Sequence, residues 1–274
     1  MDGLKRIALT VLAGWAVVVS SLARAEGTYG QPGSNPIRIH VVFNNVPYRA
    51  GLEASWGFAC LIEGLERTLL FDTGGDGPVL LANVRRMGLD PTSVDVVVLS
   101  HAHADHTGGL EAFLARRPDV TAFVPASFPT SFVRSIERHG ATVERVAGPQ
   151  RLFDGVYSTG EMGAALKEQA LILDTPQGLV VVTGCAHPNV AAMAEQARTY
   201  LGKDIYLVMG GFHLGSSSEA DIRAIIGRLE ALGVRKVAPS HCTGDGTIQM
   251  FRAAWGEDFV EGGLGAVIEV PDRP

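Results

Sequence analysis

The chain has 274 residues, 46% of them hydrophobic, with 33 glycines and a formal net charge of −6. That length and apolar content suit one sizeable domain with many turns. The acidic balance offers no basic face for nucleic acid, which argues against a nuclease, and three cysteines are too few for a disulfide scaffold.

Lys5 and Arg6, the apolar run from Ile7 to Val19, and Ala23-Arg24-Ala25 before Glu26 form the three parts of a secretory signal peptide over residues 1–25. The apolar run is shorter than the ~20 residues that span a bilayer, so a periplasmic or secreted protein without a membrane anchor is expected. No cysteine follows the run and Lys5-Arg6 is not a twin arginine, which favours export of an unfolded chain. Residues 26–36, rich in Gly, Pro, Ser and Asn, read as a flexible lead-in to a single domain over 37–274.

Ile37 to Phe43 alternates apolar residues with Arg38 and His40, as a strand with one covered face does. Asn44 to Ser55, with Pro47 and Gly51, has little periodicity and reads as a long loop able to lean over a pocket, with Glu53 and Trp56 near its end. Gly57 to Glu63 and Thr68 to Phe71 are predicted strands joined as a hairpin, and the second runs into Asp72-Thr73-Gly74-Gly75. Val79 to Met87 is a predicted helix between Pro78 and Gly88.

The next strand, Val94 to Ser100, leads straight into His101-Ala102-His103-Ala104-Asp105-His106. Three imidazoles and a carboxylate in six positions are too dense for packing, and they suit zinc, iron or manganese. Alternation points His101 and His103 the same way and leaves Asp105 and His106 free to turn toward a second ion. The competing reading, a solvated His-rich turn, fits poorly with Thr107-Gly108-Gly109 and a predicted helix from Leu110 to Arg117 directly behind it.

Further strands are predicted at Val120 to Val124 and Ala141 to Val146, around a helix from Pro129 to His139, and this alternation marks an α/β layer. His139 reads as a last-turn histidine that favours the helix dipole. Val156 to Gly160, Gln169 to Asp174 and Gly178 to Thr183 are the next strands. The last ends in Thr183-Gly184-Cys185-Ala186-His187-Pro188, and Asn189 can cap a helix from Val190 to Tyr200. Ile205 to Met209 leads into Gly210-Gly211-Phe212-His213-Leu214, followed by a helix from Ser218 to Leu232. Lys236 to Pro239 leads into Ser240-His241-Cys242-Thr243-Gly244, and Ala266 to Val270 closes the sheet. His187, His213 and His241 thus each follow a strand. Cys185 and Cys242, beside these histidines, read as ligands, a redox-sensitive pair or small core residues, and Cys60 as a core residue.

His-x-His-x-Asp-His after an apolar strand resembles the signature of the metallo-beta-lactamase-fold hydrolases. Thr-Gly-Cys-Ala-His-Pro, Gly-Gly-Phe-His-Leu and Ser-His-Cys-Thr-Gly resemble the subgroup named after a dihydropterin-ribofuranosyl-aminobenzene phosphate synthase. The resemblance runs from about Ile37 to Val270 and implies an α/β fold of four layers, the αββα sandwich. It also implies a pair of zinc ions, with iron or manganese as substitutes. His101, His103 and His187 would hold one ion and Asp105, His106 and His241 the other, with Asp72 supporting the metal loop by hydrogen bonds. Many members bridge the ions with an Asp from the strand before the last histidine. No Asp stands there, and Cys185 and His213 are the replacements on offer.

The implied activity is hydrolysis of an ester, lactone, amide or phosphoester by metal-bound water or hydroxide, whose pKa falls toward ~7. Asp105 and His213 are the catalytic candidates, His213 as a donor to the developing oxyanion. No Gly-x-Ser-x-Gly elbow, P-loop or dinucleotide fingerprint offers a different chemistry. The alternatives are a transferase or synthase that orients a pterin-like phosphorylated substrate, and a metal-binding module without turnover. A small-molecule substrate is the expected partner.

Overall fold

Strands covered on both faces are apolar throughout, and this chain has two runs of them, one in each half. The structure, a computed structural model, describes residues 36–271, so the predicted signal peptide lies outside the described residues. The first half supplies β1 (Ile37–Asn44), β2 (Phe58–Glu63), β3 (Leu69–Phe71), β4 (Val96–Val98), β5 (Thr121–Pro125) and β6 (Thr142–Val146). The second supplies β7 (Gln150–Phe153), β8 (Val156–Ser158), β9 (Leu171–Thr175), β10 (Gly178–Thr183), β11 (Ile205–Gly211) and β12 (Lys236–Ser240), while β13 (Val267–Val270) returns to the first sheet. The sheet orders are β13-β1-β2-β3-β4-β5-β6 and β12-β11-β10-β9-β8-β7. From β3 to β6 all neighbours are parallel, and so are β10, β11 and β12.

Alternation along β2 shows how the layers form. Phe58, Cys60 and Ile62 face the second sheet and meet Leu171, Val180 and Met209 in the core between sheets. Ala59 and Leu61 face the other way, toward α1 (Gly77–Arg86), α3 (Leu110–Leu114) and α4 (Thr130–Arg138). On the far side α5 (Val190–Leu201), α6 (Glu219–Ala231) and α7 (Asp245–Trp255) cover the second sheet through Met193, Leu229 and Phe251. The result is an αββα sandwich. Each fully buried side chain of this kind contributes ~1.5–3 kcal/mol, so the three apolar layers hold the sheets face to face.

Helix starts follow local chemistry. Asp76 caps α1 at Val79 N, Asn189 accepts from Ala191 N and Ala192 N at α5, and Ser218 caps α6 at Asp221 N. His139 ends α4, where its Nδ1 donates to Ser135 O at 2.8 Å, and His40 pairs with Glu63 at 3.1 Å. No helix among the described residues is long and apolar enough to cross a membrane.

Some elements differ from expectation. The helix expected to reach Arg117 ends at Leu114, and a separate turn, α2 (Ala104–Thr107), carries Asp105 and His106. The edge strand β7 is short, polar and only partly covered, so it lacks a strong pattern. Helix α7 opens on Asp245-Gly246-Thr247, poor helix formers, and depends on packing of Phe251 against Phe212 at 5.3 Å between rings. Gln169 does not enter β9. Instead its Nε2 donates to Leu99 O at 2.9 Å and its backbone N to Ser100 O at 3.0 Å, which ties the second sheet to the end of β4.

Candidate metal centre

Parallel strands end at the same edge of a sheet, and here the edges of both sheets meet. Asp72 follows β3, His101 lies three residues past the end of β4, Cys185 and His187 follow β10, His213 follows β11 and His241 follows β12. Gly184 permits the meeting, because a Cβ there would lie 2.1 Å from Ser100 Oγ and 2.9 Å from Asp72 Oδ2. Four non-glycine residues along this edge take left-handed backbone: Asp72 (φ 54°), Ala186 (61°), His213 (51°) and His241 (55°). Such conformations cost ~1–3 kcal/mol each and persist where surrounding contacts over-determine them.

Three groups of donor atoms gather there, each within 4.8 Å of one another: His101, His103 and His187; Asp105, His106, Cys185 and His241; and Cys185, His187 and His213. Within the first group the rings of His101 and His103, His101 and His187, and His103 and His187 stand 4.7, 4.7 and 4.9 Å apart. In the second, Asp105 Oδ2 lies 3.4 Å from His241 Nε2 and 3.6 Å from His106 Nε2, and Cys185 Sγ lies 3.2 Å from His106 Nε2. Apart from Cys242, every residue singled out in the sequence as a metal or catalytic candidate falls in one of these groups. Asp72 is in none of them and sits beneath, fully buried.

The hydrogen bonds behind the histidines decide which nitrogen faces the centre. A carboxylate only accepts, so His106 Nδ1 donates to Asp72 Oδ2 at 2.7 Å and His187 Nδ1 to Glu168 Oε2 at 2.9 Å. His241 Nδ1 donates to Asn45 Oδ1 at 2.7 Å. Ser100 Oγ gives its proton to Asp72 Oδ2 at 2.7 Å and therefore accepts from His101 Nδ1 at 2.8 Å. All four imidazoles thus keep the lone pair on Nε2, the tautomer that ligates a metal while the outer N–H is held. His101 Nε2 and His241 Nε2 are buried without a hydrogen-bond partner. An unsatisfied buried group costs ~1–3 kcal/mol, and a cation among these donors relieves it, so the residues present fit a metal ion.

Electrostatics agree with that fit. Burial lowers the pKa of His101 to about 3 and of His106 to about 4, and also lowers that of His241, which keeps the imidazoles neutral and able to ligate. Burial works to raise Asp105, but the adjoining His241 and His106 imidazoles, 3.4 and 3.6 Å away, outweigh it and hold the carboxyl well below the usual range. Burial, against the pull of His101 and the Ser100 bonds, raises Asp72 to about 7.

Sequence reasoning missed Glu168 and Asn45. Glu168 is fully buried, and its two oxygens accept from the backbone N of Cys185, Ala186 and His187 at 2.9, 2.8 and 2.9 Å besides the His187 ring. It holds the whole 185–187 turn, with its pKa lowered to about 2: burial opposes ionisation, and the bonds from His187, the nearby His101 ring and the backbone N–H groups outweigh it. The one sequence signal was a carboxylate at the mouth of an apolar strand, which has no distinctive spacing. Asn45 brackets His241 by accepting from its ring and donating to its carbonyl O at 3.2 Å.

Asp72→Ala is expected to lower metal affinity ~10–100-fold, as loss of a group that orients a ligand does, while the fold survives. Metal titration with circular dichroism measures both; affinity equal to wild type would remove Asp72 from this role.

Fold and site together define an enzyme of the metallo-beta-lactamase fold. Residues 57–192 match the sequence profile of the metallo-beta-lactamase superfamily. It is 28% identical over 271 residues to the 7,8-dihydropterin-6-methyl-4-(beta-D-ribofuranosyl)-aminobenzene-5'-phosphate synthase of Methanocaldococcus jannaschii, spanning 81% of this chain and 92% of that one. Among solved structures it resembles Tm1679, described as a metal-dependent hydrolase of the beta-lactamase superfamily, with TM-score 0.73 and 25% identity over 86% of this chain and 100% of that one. YhfI of Bacillus subtilis shares the fold at TM-score 0.66 and 14% identity, over 86% and 99% of the two chains.

Proposed function

We propose that this protein is a hydrolase that holds two metal ions, zinc in the first instance, and cleaves an ester, lactone, amide or phosphoester bond of a small molecule. The observation that carries this reading is the pair of donor sets, His101–His103–His187 and Asp105–His106–His241, facing one another at the strand ends. Ions held there supply Lewis acidity and a water of lowered pKa. The chain's own part is orientation. Asp72, Ser100, Glu168 and Asn45 fix the four buried or half-buried imidazoles, and Asp105 stands 3.4 Å from His241 Nε2. His213, exposed with its ring 4.3 Å from that of His187, stands where a substrate oxygen would receive a hydrogen bond. Trp56, 58% exposed and 5.0 Å from the His241 ring, offers the substrate an apolar wall.

The likeness to a synthase over most of the chain favours a second reading, transfer or condensation on a pterin-like phosphorylated substrate. Metal analysis, followed by chromogenic ester, lactone, beta-lactam and phosphodiester substrates in oxygen-18 water, separates the readings. Label from water in the product supports hydrolysis; a joined product without label supports the synthase; bound metal without turnover on either substrate class supports a binding module.

Export belongs to the same proposal and rests on residues 1–25. N-terminal sequencing of the mature protein is expected to begin near Glu26, and an intact Met1 would reject export.

A further inference from the structure

The Asp105–His106–His241 set has one more donor atom beside it than the two-ion reading above uses. Cys185 is the residue that joins the Asp105–His106–His241 set to His187 and His213. Its sulfur lies 3.2 Å from His106 Nε2, the ring nitrogen left with a free lone pair once Asp72 takes the Nδ1 proton. The residue is buried, and Glu168 Oε1 accepts from its backbone N at 2.9 Å, so the sulfur is held in place. His213 has a weaker claim to complete that set. It belongs only to the set with Cys185 and His187, it is exposed, and a neutral imidazole offers one lone pair on one nitrogen.

Cys242 provides an internal contrast. It is close by, since a Cβ on Gly211 would lie 2.8 Å from Cys242 Sγ and 3.2 Å from Cys185 Cα. Its thiol nevertheless points to Cys185 O at 3.7 Å, and it enters none of the three donor groups.

Resting on the two-ion reading above, we infer that Cys185 is itself a metal ligand, its sulfur joining Asp105, His106 and His241 in one donor set. As the metal–sulfur bonds form, the S–H bond breaks and its proton passes to solvent, because a coordinating thiol is deprotonated. A thiolate at the centre biases the site toward softer ions such as zinc, cobalt or iron over magnesium or calcium.

Cobalt tests this without reference to turnover. Metal-free protein is titrated with Co2+ while bound metal and the near-ultraviolet thiolate-to-cobalt absorption are recorded for wild type, Cys185→Ser and Cys242→Ser. Wild type and Cys242→Ser are expected to show the band and Cys185→Ser to lack it, with cobalt affinity reduced at least ~10-fold, the lower end of what loss of a mere supporting group costs. Two bound ions with no thiolate band in wild type, or a band lost in Cys242→Ser and kept in Cys185→Ser, overturn this inference and leave the two-ion reading standing. Failure of wild type to bind cobalt overturns both. Should Cys185→Ser not fold, cadmium NMR of wild type decides: a strongly downfield signal supports the sulfur ligand, and one in the nitrogen and oxygen range refutes it.

Discussion

Replacing His106 with alanine is expected to strip metal from the centre and reduce turnover by ~10³-fold or more. His106 is fully buried, its Nδ1 held by Asp72 and its Nε2 3.2 Å from Cys185 Sγ, so no neighbouring side chain stands in for it. Metal ions supply several kcal/mol of stabilisation to a developing charge, and each ~1.4 kcal/mol is tenfold in rate. The variant also leaves Asp72 buried beside an empty volume, where a carboxyl already raised to about 7 takes up a proton. Folding therefore survives while chemistry does not. His139→Ala is the control, because that ring bonds only Ser135 O at the end of α4 and its loss changes neither metal nor rate. Metal content, kcat/KM and a thermal melt on both variants check this; turnover and metal unchanged in His106→Ala would remove it from the centre.

The second large effect belongs to Glu168. Glu168→Ala strands the N–H groups of Cys185, Ala186 and His187 and the His187 ring donor around the place of a fully buried carboxylate. At ~1–3 kcal/mol for each stranded donor, less what entering water recovers, a loss of about 4 kcal/mol in stability is expected, with metal binding lost as well. Glu168→Gln keeps the volume but turns an NH2 group toward N–H donors, so it falls between alanine and wild type. Denaturant unfolding followed by metal titration measures both. Stability of the alanine variant within ~0.5 kcal/mol of wild type, the usual range for surface changes, would show that the 185–187 turn holds itself.

These expectations mark where sequence reading reached its limit. The 101–106 loop was legible because its donors are neighbours in one chain segment, and residues a few positions apart announce one another. His187, His213 and His241 were legible as histidines after predicted strands, a position that parallel strands share. Glu168 was not, since its partners lie 17 to 19 positions onward, beyond a complete hairpin. Asn45 grips a ring 196 positions away, and nothing near Asn45 signals it. The strand β7 and helix α7 escaped for a related reason: their local patterns are weak and their stability comes from neighbours.

The sequence by itself determined the apolar runs that become two covered sheets, the turns that follow them, and the inventory of side chains able to bind metal. Tertiary structure decided which of those side chains meet. His106 and Cys185 are 79 positions apart, and they come within 3.2 Å because β4 and β10, from different sheets, end at the same edge of the sandwich with only Gly184 between their turns. Patterning reports neighbours along the chain and the face each residue presents. A set of ligands is a property of distances across sheets, and those exist only once burial of both apolar faces has brought the sheets together.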